Sequence, residues 1–484
     1  MALTTLLRIG GKPRPASTGA TFERKNPISG EVATQAAAAT GADADAAVDA
    51  AATALPAWSA LGPNARRGLL LKAADLLQAK APDFIVRVAA ETGGTAGWAG
   101  FNVMLAAGML REAASLTTQI TGQVIPSDTK GSYAFSFRQP AGVVLGIAPW
   151  NAPVILGVRA VATPLACGNT VVFKASEICP ATHGLIVEVL EEAGLPAGAI
   201  NLVTNAPADA PAIVERLIVH PAVRRVNFTG STRVGRKIAE IAGRHLTPVL
   251  LELGGKAPLV ILDDADLDAA VNAVAFGAFM NQGQICMSTE RVVVDAKVAD
   301  AFVAKLKAKA ASLPVGDPRA GNVVLGAMVS AAAAALVADL AKDAKDKGAD
   351  VVLAPSVTQQ TIVSAGVVDR VTPAMRIYSE ESFGPIVAVI RVHGDDEAIR
   401  VANDSEYGLA AAVFSQSINR ALHVATRINS GICHINGSTV ADEAQMPFGG
   451  TKASGYGRFG GTAGIAEFTD LRWITIETEP HYPF

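Results

Sequence analysis

A thiol, a carboxylate and a side-chain amide stand in this sequence at the kinds of position that nucleophilic catalysis uses. Cys286, in the string Gly283-Gln-Ile-Cys286, lies between a run of helical spacing at 266–280 and an apolar β-run at 291–294. The thiol therefore sits on a loop between two rigid elements, where chemistry is commonly placed; the alternative is a small buried hydrophobe. Glu252 closes the apolar run 249–252 and is followed by Leu253-Gly254-Gly255. A carboxylate there suits a general base if it faces a cleft, and an ordinary surface ion pair if it does not. Asn151, in Pro149-Trp150-Asn151-Ala152-Pro153, follows a buried strand and precedes a helix. Its amide either donates to a developing oxyanion or caps the helix. Two more strand ends suit a nucleotide: Lys174-Ala-Ser-Glu177, and the glycine-rich turn Phe228-Thr-Gly230-Ser231-Thr-Arg-Val-Gly235 that opens a helix. Free N–H groups and the helix dipole favour phosphate at such a turn, although the spacing is not G-x-G-x-x-G.

The elements that must position these groups form an alternating series. Runs at 143–148, 170–174, 200–203 and 225–228 read as strands without polar alternation, separated by helices at 154–165, 181–192, 208–217 and 231–242. That pattern predicts a parallel sheet covered on both faces, a doubly wound α/β architecture with ligands at the carboxyl ends of its strands. A second series has strands at 249–252, 259–262, 291–294, 351–354, 386–392 and 411–414, and an alanine-rich helix at 327–347; the glycines at 254 and 255 mark the boundary. Before these, 6–31 reads as extended and turn-rich, and helices are expected at 47–61, 64–80, 83–92 and 99–121. The stretches 132–139 and 473–478 alternate as half-buried strands.

A chain of 484 residues, 50% hydrophobic and 18% charged, predicts two or three well-packed domains. A net charge of −3 without a Lys/Arg block argues against nucleic acid as a partner. Cys167, Cys179, Cys286 and Cys433 are scattered, with no C-x-x-C pair and no histidine at ligand spacing. Neither a disulfide framework nor a metal site is expected, and a reducing cytoplasm is the natural compartment. The N-terminus lacks a secretory pattern. The apolar stretch 141–173 is broken by Pro149, Asn151, Pro153, Arg159 and Pro164, which argues against a membrane span.

Arg159 interrupts an otherwise apolar helical run and is costly to bury unless paired or in contact with a polar ligand. With Ile155 and Leu156 it lies four to eight residues beyond Asn151, so one helix face can serve both catalysis and the substrate's approach. It is expected either to form a structural ion pair or, if the substrate is aromatic, to read a ring hydroxyl, phenolate or carboxylate, with aromatic packing from Trp98 and Phe448.

Seven strings in order give the chain a resemblance to the aldehyde dehydrogenase superfamily over nearly its whole length: PWN at 149–151, KASE at 174–177, FTGSTRVG at 228–235, LELGGK at 251–256, GQICMSTER at 283–291, EESFGP at 380–385 and PFGGTKASGYGR at 447–458. The resemblance implies Cys286 as nucleophile, Asn151 as oxyanion donor and Glu252 as the base for thioester hydrolysis. It implies Lys174 and Glu177 on the adenosine ribose, Gly230 and Ser231 near the pyrophosphate and nicotinamide, and Glu381 with Phe383 on the nicotinamide ribose, Trp150 being part of the same site. A carboxylate at Glu177 favours NAD over NADP; Ala175 stands where a proline is common in the family. The implied fold has an NAD-binding domain (1–121 and 142–252), a catalytic domain (253–453) and an oligomerisation arm (122–141 and 454–484) whose edge strands a neighbour completes, giving a homodimer or homotetramer. The strings HINGSTVADEAQMPFGG and GYGRFGG and the ending HYPF are similar to the aromatic-aldehyde branch acting on salicylaldehyde, vanillin or benzaldehyde. An aliphatic aldehyde or semialdehyde is the alternative substrate; a thiol hydrolase and a catalytically silent relative are the readings from other classes.

Overall fold

The computed structural model describes residues 2–479 and Tyr482, so most of the HYPF ending and of the arm's last residues lie outside the described residues. Five parallel strands form the middle of the first sheet, in the order Val249–Glu252, Val223–Thr229, Val143–Ile147, Thr170–Lys174, Ile200–Val203. Every residue of Val143–Ile147, Thr170–Lys174 and Ile200–Val203 is buried, because the crossover helices cover both faces. That is why these runs show no polar alternation. The chain winds outward in both directions from Val143–Ile147, which puts the switch of direction between that strand and Val223–Thr229. Asn151 follows one of these two strands and Gly230 the other.

The first sheet's last parallel strand ends at Glu252 and the second sheet begins with Ala257–Ile261, so the short joint Leu253–Lys256 carries the chain from one to the other. The second sheet runs Asp350–Leu353, Gly366–Asp369, Ile386–Val392, Thr289–Asp295, Ala257–Ile261, Ala410–Phe414, Ile432–Ile435, parallel except for its first edge strand. A third sheet pairs Thr469–Glu477 with Ser132–Pro140 over nine residues and Ser132–Pro140 with Gln123–Ile125.

Several expectations are corrected. Ser132–Pro140 is the middle strand of the small sheet, and the edges are Gln123–Ile125 and Thr469–Glu477. Residues 454–468 do not belong to that sheet: Gly455–Tyr456 pairs antiparallel with Leu251 and Glu252 at the edge of the first sheet, and Gly461–Glu467 is helical. The alanine-rich helix starts only at Ala331, where the Ser330 hydroxyl accepts from the Ala333 N–H. The residues before it are tied elsewhere, Ala327 bridging to Ile362. The helix expected at 99–121 is Ala96–Leu116, begun by a Thr95 cap and closed where the Thr117 hydroxyl bonds back to Ala114. Strands Gly366–Asp369 and Ile432–Ile435 were not anticipated. Among the described residues no helix is long and apolar enough to cross a membrane, and no group of three His, Cys, Asp or Glu is arranged to hold a metal ion.

Candidate active site

The helix Leu267–Phe279 runs into a tight turn in which Asn281 and Gln282 both take left-handed backbone angles (φ 49° and 57°). This backbone conformation, costly for residues that carry a Cβ, is held by side-chain hydrogen bonds. The Gln282 amide donates to Ala327 O at 2.9 Å and accepts from Gly326 N–H at 3.0 Å, and Gln284 accepts from Val329 N–H at 2.9 Å. The turn delivers Cys286 half-buried onto the wall of a largely apolar cavity.

Asn151 does not cap the following helix, whose cap residue is Ala152 without a side-chain bond. Its amide instead donates to Gln284 O at 3.0 Å, two residues before the thiol. Its own carbonyl accepts from Trp98 Nε1–H and from the Asn281 amide, both at 2.9 Å. The asparagine is thus locked against the cysteine loop from both ends.

Glu252 is wholly buried, and neither carboxylate oxygen has a hydrogen-bond partner among the described residues. Burial pushes its carboxyl up to about 8, against the opposing pull of the Arg159 charge and the nearby Cys286 thiol. Burial, and then the Glu252 charge, also raise the Cys286 thiol well above its usual value, with Arg159 again opposing. The backbone between the two groups is close-packed: a Cβ on Gly255 would lie 2.3 Å from Cys286 O. Only glycine lets the joint between the sheets pass behind the thiol.

The cavity in front of Cys286 collects all four residues singled out for substrate, Trp98, Ile155, Arg159 and Phe448, together with Asn151. Arg159 is both a cavity wall and an ion pair: it meets Asp442, and its guanidinium sits 4.1 Å from the Phe448 ring centroid and 5.9 Å from that of Phe459. Glu252 lies outside the cavity lining. Sequence reasoning missed Asp442, although it lies within the quoted string STVADEAQMPFGG, because nothing in that string ties it to Arg159, 283 residues away.

Further residues stand at the carboxyl ends of the first sheet's strands and at the joint. Lys174 pairs with Glu177, and Asn205 donates to the same carboxylate at 3.0 Å. Gly230 N–H donates to Glu252 O at 3.0 Å, and Ser231 caps the helix Thr232–Arg244. Glu381 accepts from Gly255 N–H at 2.9 Å; burial and then the Glu290 charge lift its carboxyl to about 7. Phe383 adopts φ 42°, its N–H held by Glu290 at 2.9 Å, and its ring meets Trp150 edge-on at 5.9 Å. Glu290 also accepts from Ser382 N–H at 2.7 Å and pairs with the buried Lys256 at 2.5 Å. Neither Lys256 nor Glu290 was singled out as a site residue, and together they hold the loop before the strand Ile386–Val392 that presents Glu381 and Phe383.

The profile of the aldehyde dehydrogenase family matches residues 14–474. The chain belongs to that family. It is accordingly an oxidoreductase that acts on aldehydes. This aldehyde dehydrogenase is 61% identical over 478 residues to a vanillin dehydrogenase of Pseudomonas fluorescens, covering 99% of each chain. It matches the crystal structure of a salicylaldehyde dehydrogenase from Pseudomonas putida G7 complexed with salicylaldehyde with a TM-score of 0.97, 53% identity and full coverage of both chains. It also matches the crystal structure of PnpE in complex with nicotinamide adenine dinucleotide, with a TM-score of 0.94, 35% identity and coverage of 99% and 98%. The mixed α/β architecture with two parallel sheets is therefore that of known members of the family.

Proposed function

We propose that this aldehyde dehydrogenase oxidises an aromatic aldehyde of the vanillin, salicylaldehyde or benzaldehyde type to its carboxylic acid, with NAD as electron acceptor. The observation that carries the reading is the apolar cavity whose wall brings Cys286 and Asn151 together with Trp98, Ile155 and Phe448. Flat apolar walls suit a ring, and the names of the similar proteins point the same way.

In this reading Cys286 gives up its thiol proton to water, the sulfur adds to the aldehyde carbon, and the oxygen gains the electron pair. The Asn151 amide, turned toward the cysteine loop, and the Cys286 N–H stabilise that oxyanion. The nicotinamide dinucleotide, when bound, supplies the hydride acceptor that turns the thiohemiacetal into a thioester. Glu252 then takes a proton from water, the hydroxide adds to the thioester carbon, and the C–S bond breaks to return the thiolate. In its ionised form, whose oxygens have no hydrogen-bond partner among the described residues, it can accept that proton.

The residues present fit the cofactor. Glu177, already oriented by Lys174 and Asn205, offers a carboxylate to ribose hydroxyls, and Glu381 offers another next to the edge-on pair Trp150 and Phe383. A 2′-phosphate would meet like charge at Glu177, so NADP is the weaker acceptor. No histidine lines the cavity among the described residues, which disfavours a cysteine–histidine hydrolase. We propose further that the arm pairs copies of the chain into a homodimer or homotetramer.

The test is NADH formation with benzaldehyde, salicylaldehyde, vanillin, succinic semialdehyde and acetaldehyde, with Cys286→Ala as control. The aromatic aldehydes should show the highest kcat/KM, and Cys286→Ala should lose turnover while still binding NAD. A clear preference for acetaldehyde or the semialdehyde would overturn the substrate, and turnover by Cys286→Ala would overturn the nucleophile.

A further inference from the structure

We infer that Asp442 is a second specificity residue of the aldehyde cavity, accepting a hydrogen bond from a neutral hydroxyl group on the substrate ring. This rests on the aromatic-aldehyde reading above and adds to it the chemistry by which ring substituents are told apart.

Asp442 lines the same cavity as Cys286, with its side chain 8% exposed. One of its carboxylate oxygens, Oδ2, takes the Arg159 guanidinium. The other, Oδ1, is buried and has no hydrogen-bond partner among the described residues. A buried carboxylate oxygen left unpaired is costly, and native proteins seldom leave one without a use. Arg159 cannot easily swing to serve both oxygens, because it is held over the Phe448 and Phe459 rings.

The pairing changes what Arg159 can recognise. A lone buried guanidinium would draw carboxylates and phenolates; beside Asp442 its charge is offset, and an anionic substituent would meet a like charge. What the pair presents is an acceptor next to a donor. A neutral phenolic hydroxyl matches both, donating to Oδ1 and accepting from the guanidinium, and hydrogen bonds to charged partners are the stronger kind. The adjoining walls, Trp98 and Ile155, are suited to the ring itself. A site built to hydrogen-bond a hydroxyl discriminates strongly against analogues without one.

The experiment compares kcat/KM for the hydroxybenzaldehyde isomers with the matching fluoro-, methoxy- and carboxybenzaldehydes, using NAD and the full-length enzyme. Fluoro and methoxy groups keep an acceptor and lose the donor. The wild type should prefer at least one hydroxy isomer to both counterparts by about tenfold or more, with the carboxy compound poorest. In Asp442→Asn, which keeps volume, the ratio should fall, and in Asp442→Leu it should approach one. A wild-type ratio near one at every ring position overturns the inference without touching the aromatic reading. So does a ratio that survives in a folded Asp442 variant, since a mere counter-ion for Arg159 would change all aldehydes alike. Should acetaldehyde or succinic semialdehyde be oxidised while every benzaldehyde is inert, the aromatic reading itself is lost.

Discussion

A wholly buried carboxyl with no hydrogen-bond partner keeps its proton at neutral pH, and for Glu252 that has two measurable consequences. Its folded value of about 8 means that the base form appears only as pH rises through that value. The slow hydrolytic step should therefore accelerate between roughly pH 7 and 9. In Glu252→Gln, rapid mixing should give a burst of NADH followed by little turnover, and the rise with pH should disappear; a steady rate close to wild type would exclude Glu252 as the base. The same shift bears on stability. Below the ordinary value of 4.5 both folded and unfolded chains hold the proton and there is no penalty. From there up to about 8 the unfolded chain has lost it and the folded chain has not, so stability falls with rising pH, and the penalty is complete above about 8. Glu252→Gln should thus gain in Tm relative to wild type on going from pH 6 to pH 9. At Glu177 the argument is one of charge. Glu177→Gln should raise the NADP to NAD ratio of kcat/KM, by roughly fivefold to tenfold, because Lys174 already offsets part of the carboxylate's repulsion. An unchanged ratio would mean that another group reads the ribose.

At the scale of elements, the decisive feature is the joint Leu253–Lys256, which ties Glu252, the Cys286 loop and Glu381 into one packed unit. Gly255→Ala would drive its methyl against Cys286 O, backbone against backbone, with no flexible side chain to yield. The cysteine loop must then shift, and kcat should drop by about a hundredfold, in line with the cost of misplacing a reacting group by about an ångström. Circular dichroism and NAD titration should show the fold and cofactor site largely retained, and a wild-type kcat would refute the packing argument. Much of this arrangement was legible in the sequence, since long apolar strands and strongly periodic helices carry their own pattern: 170–174 and 200–203 match the observed strands to the residue. What was not legible depended on partners distant in the chain. The start of the alanine-rich helix is set by the Ser330 cap and the Ala327 bridge to Ile362, both invisible to alanine's propensity. Ile432–Ile435 is a strand only because Ala410–Phe414 offers it an edge. Lys256 and Glu290 stood in quoted strings, yet their pairing is a contact across 34 residues.

At the scale of the whole molecule, the small sheet is the part least able to stand alone. Thr469–Glu477 is paired on one side by Ser132–Pro140, and among the described residues its other side is an unpaired edge of nine residues. Leu471 and Trp473 on that strand are 60% and 72% exposed, and Tyr133 and Val124 on its neighbours are 64% and 85% exposed. A long edge that exposes Leu471, Trp473 and Ile476 between Asp470, Arg472 and Glu477 is a liability in a solitary chain, and proteins normally cover such a surface. The Trp473 side chain is also large enough to anchor an interface. A second copy is the occupant that we expect. Replacing the exposed pair by Leu471→Glu and Trp473→Glu should leave the parallel sheets intact, because neither side chain packs into their cores. It should convert the assembled enzyme to a monomer in sedimentation or light-scattering measurements at micromolar concentration. Far-ultraviolet circular dichroism should stay unchanged, and Tm should fall by several degrees as the subunit contacts are lost. An unaltered molecular mass in the double variant would show that this face is not where copies meet. A wild-type chain that is already monomeric at the same concentration would remove the arm from any role in assembly.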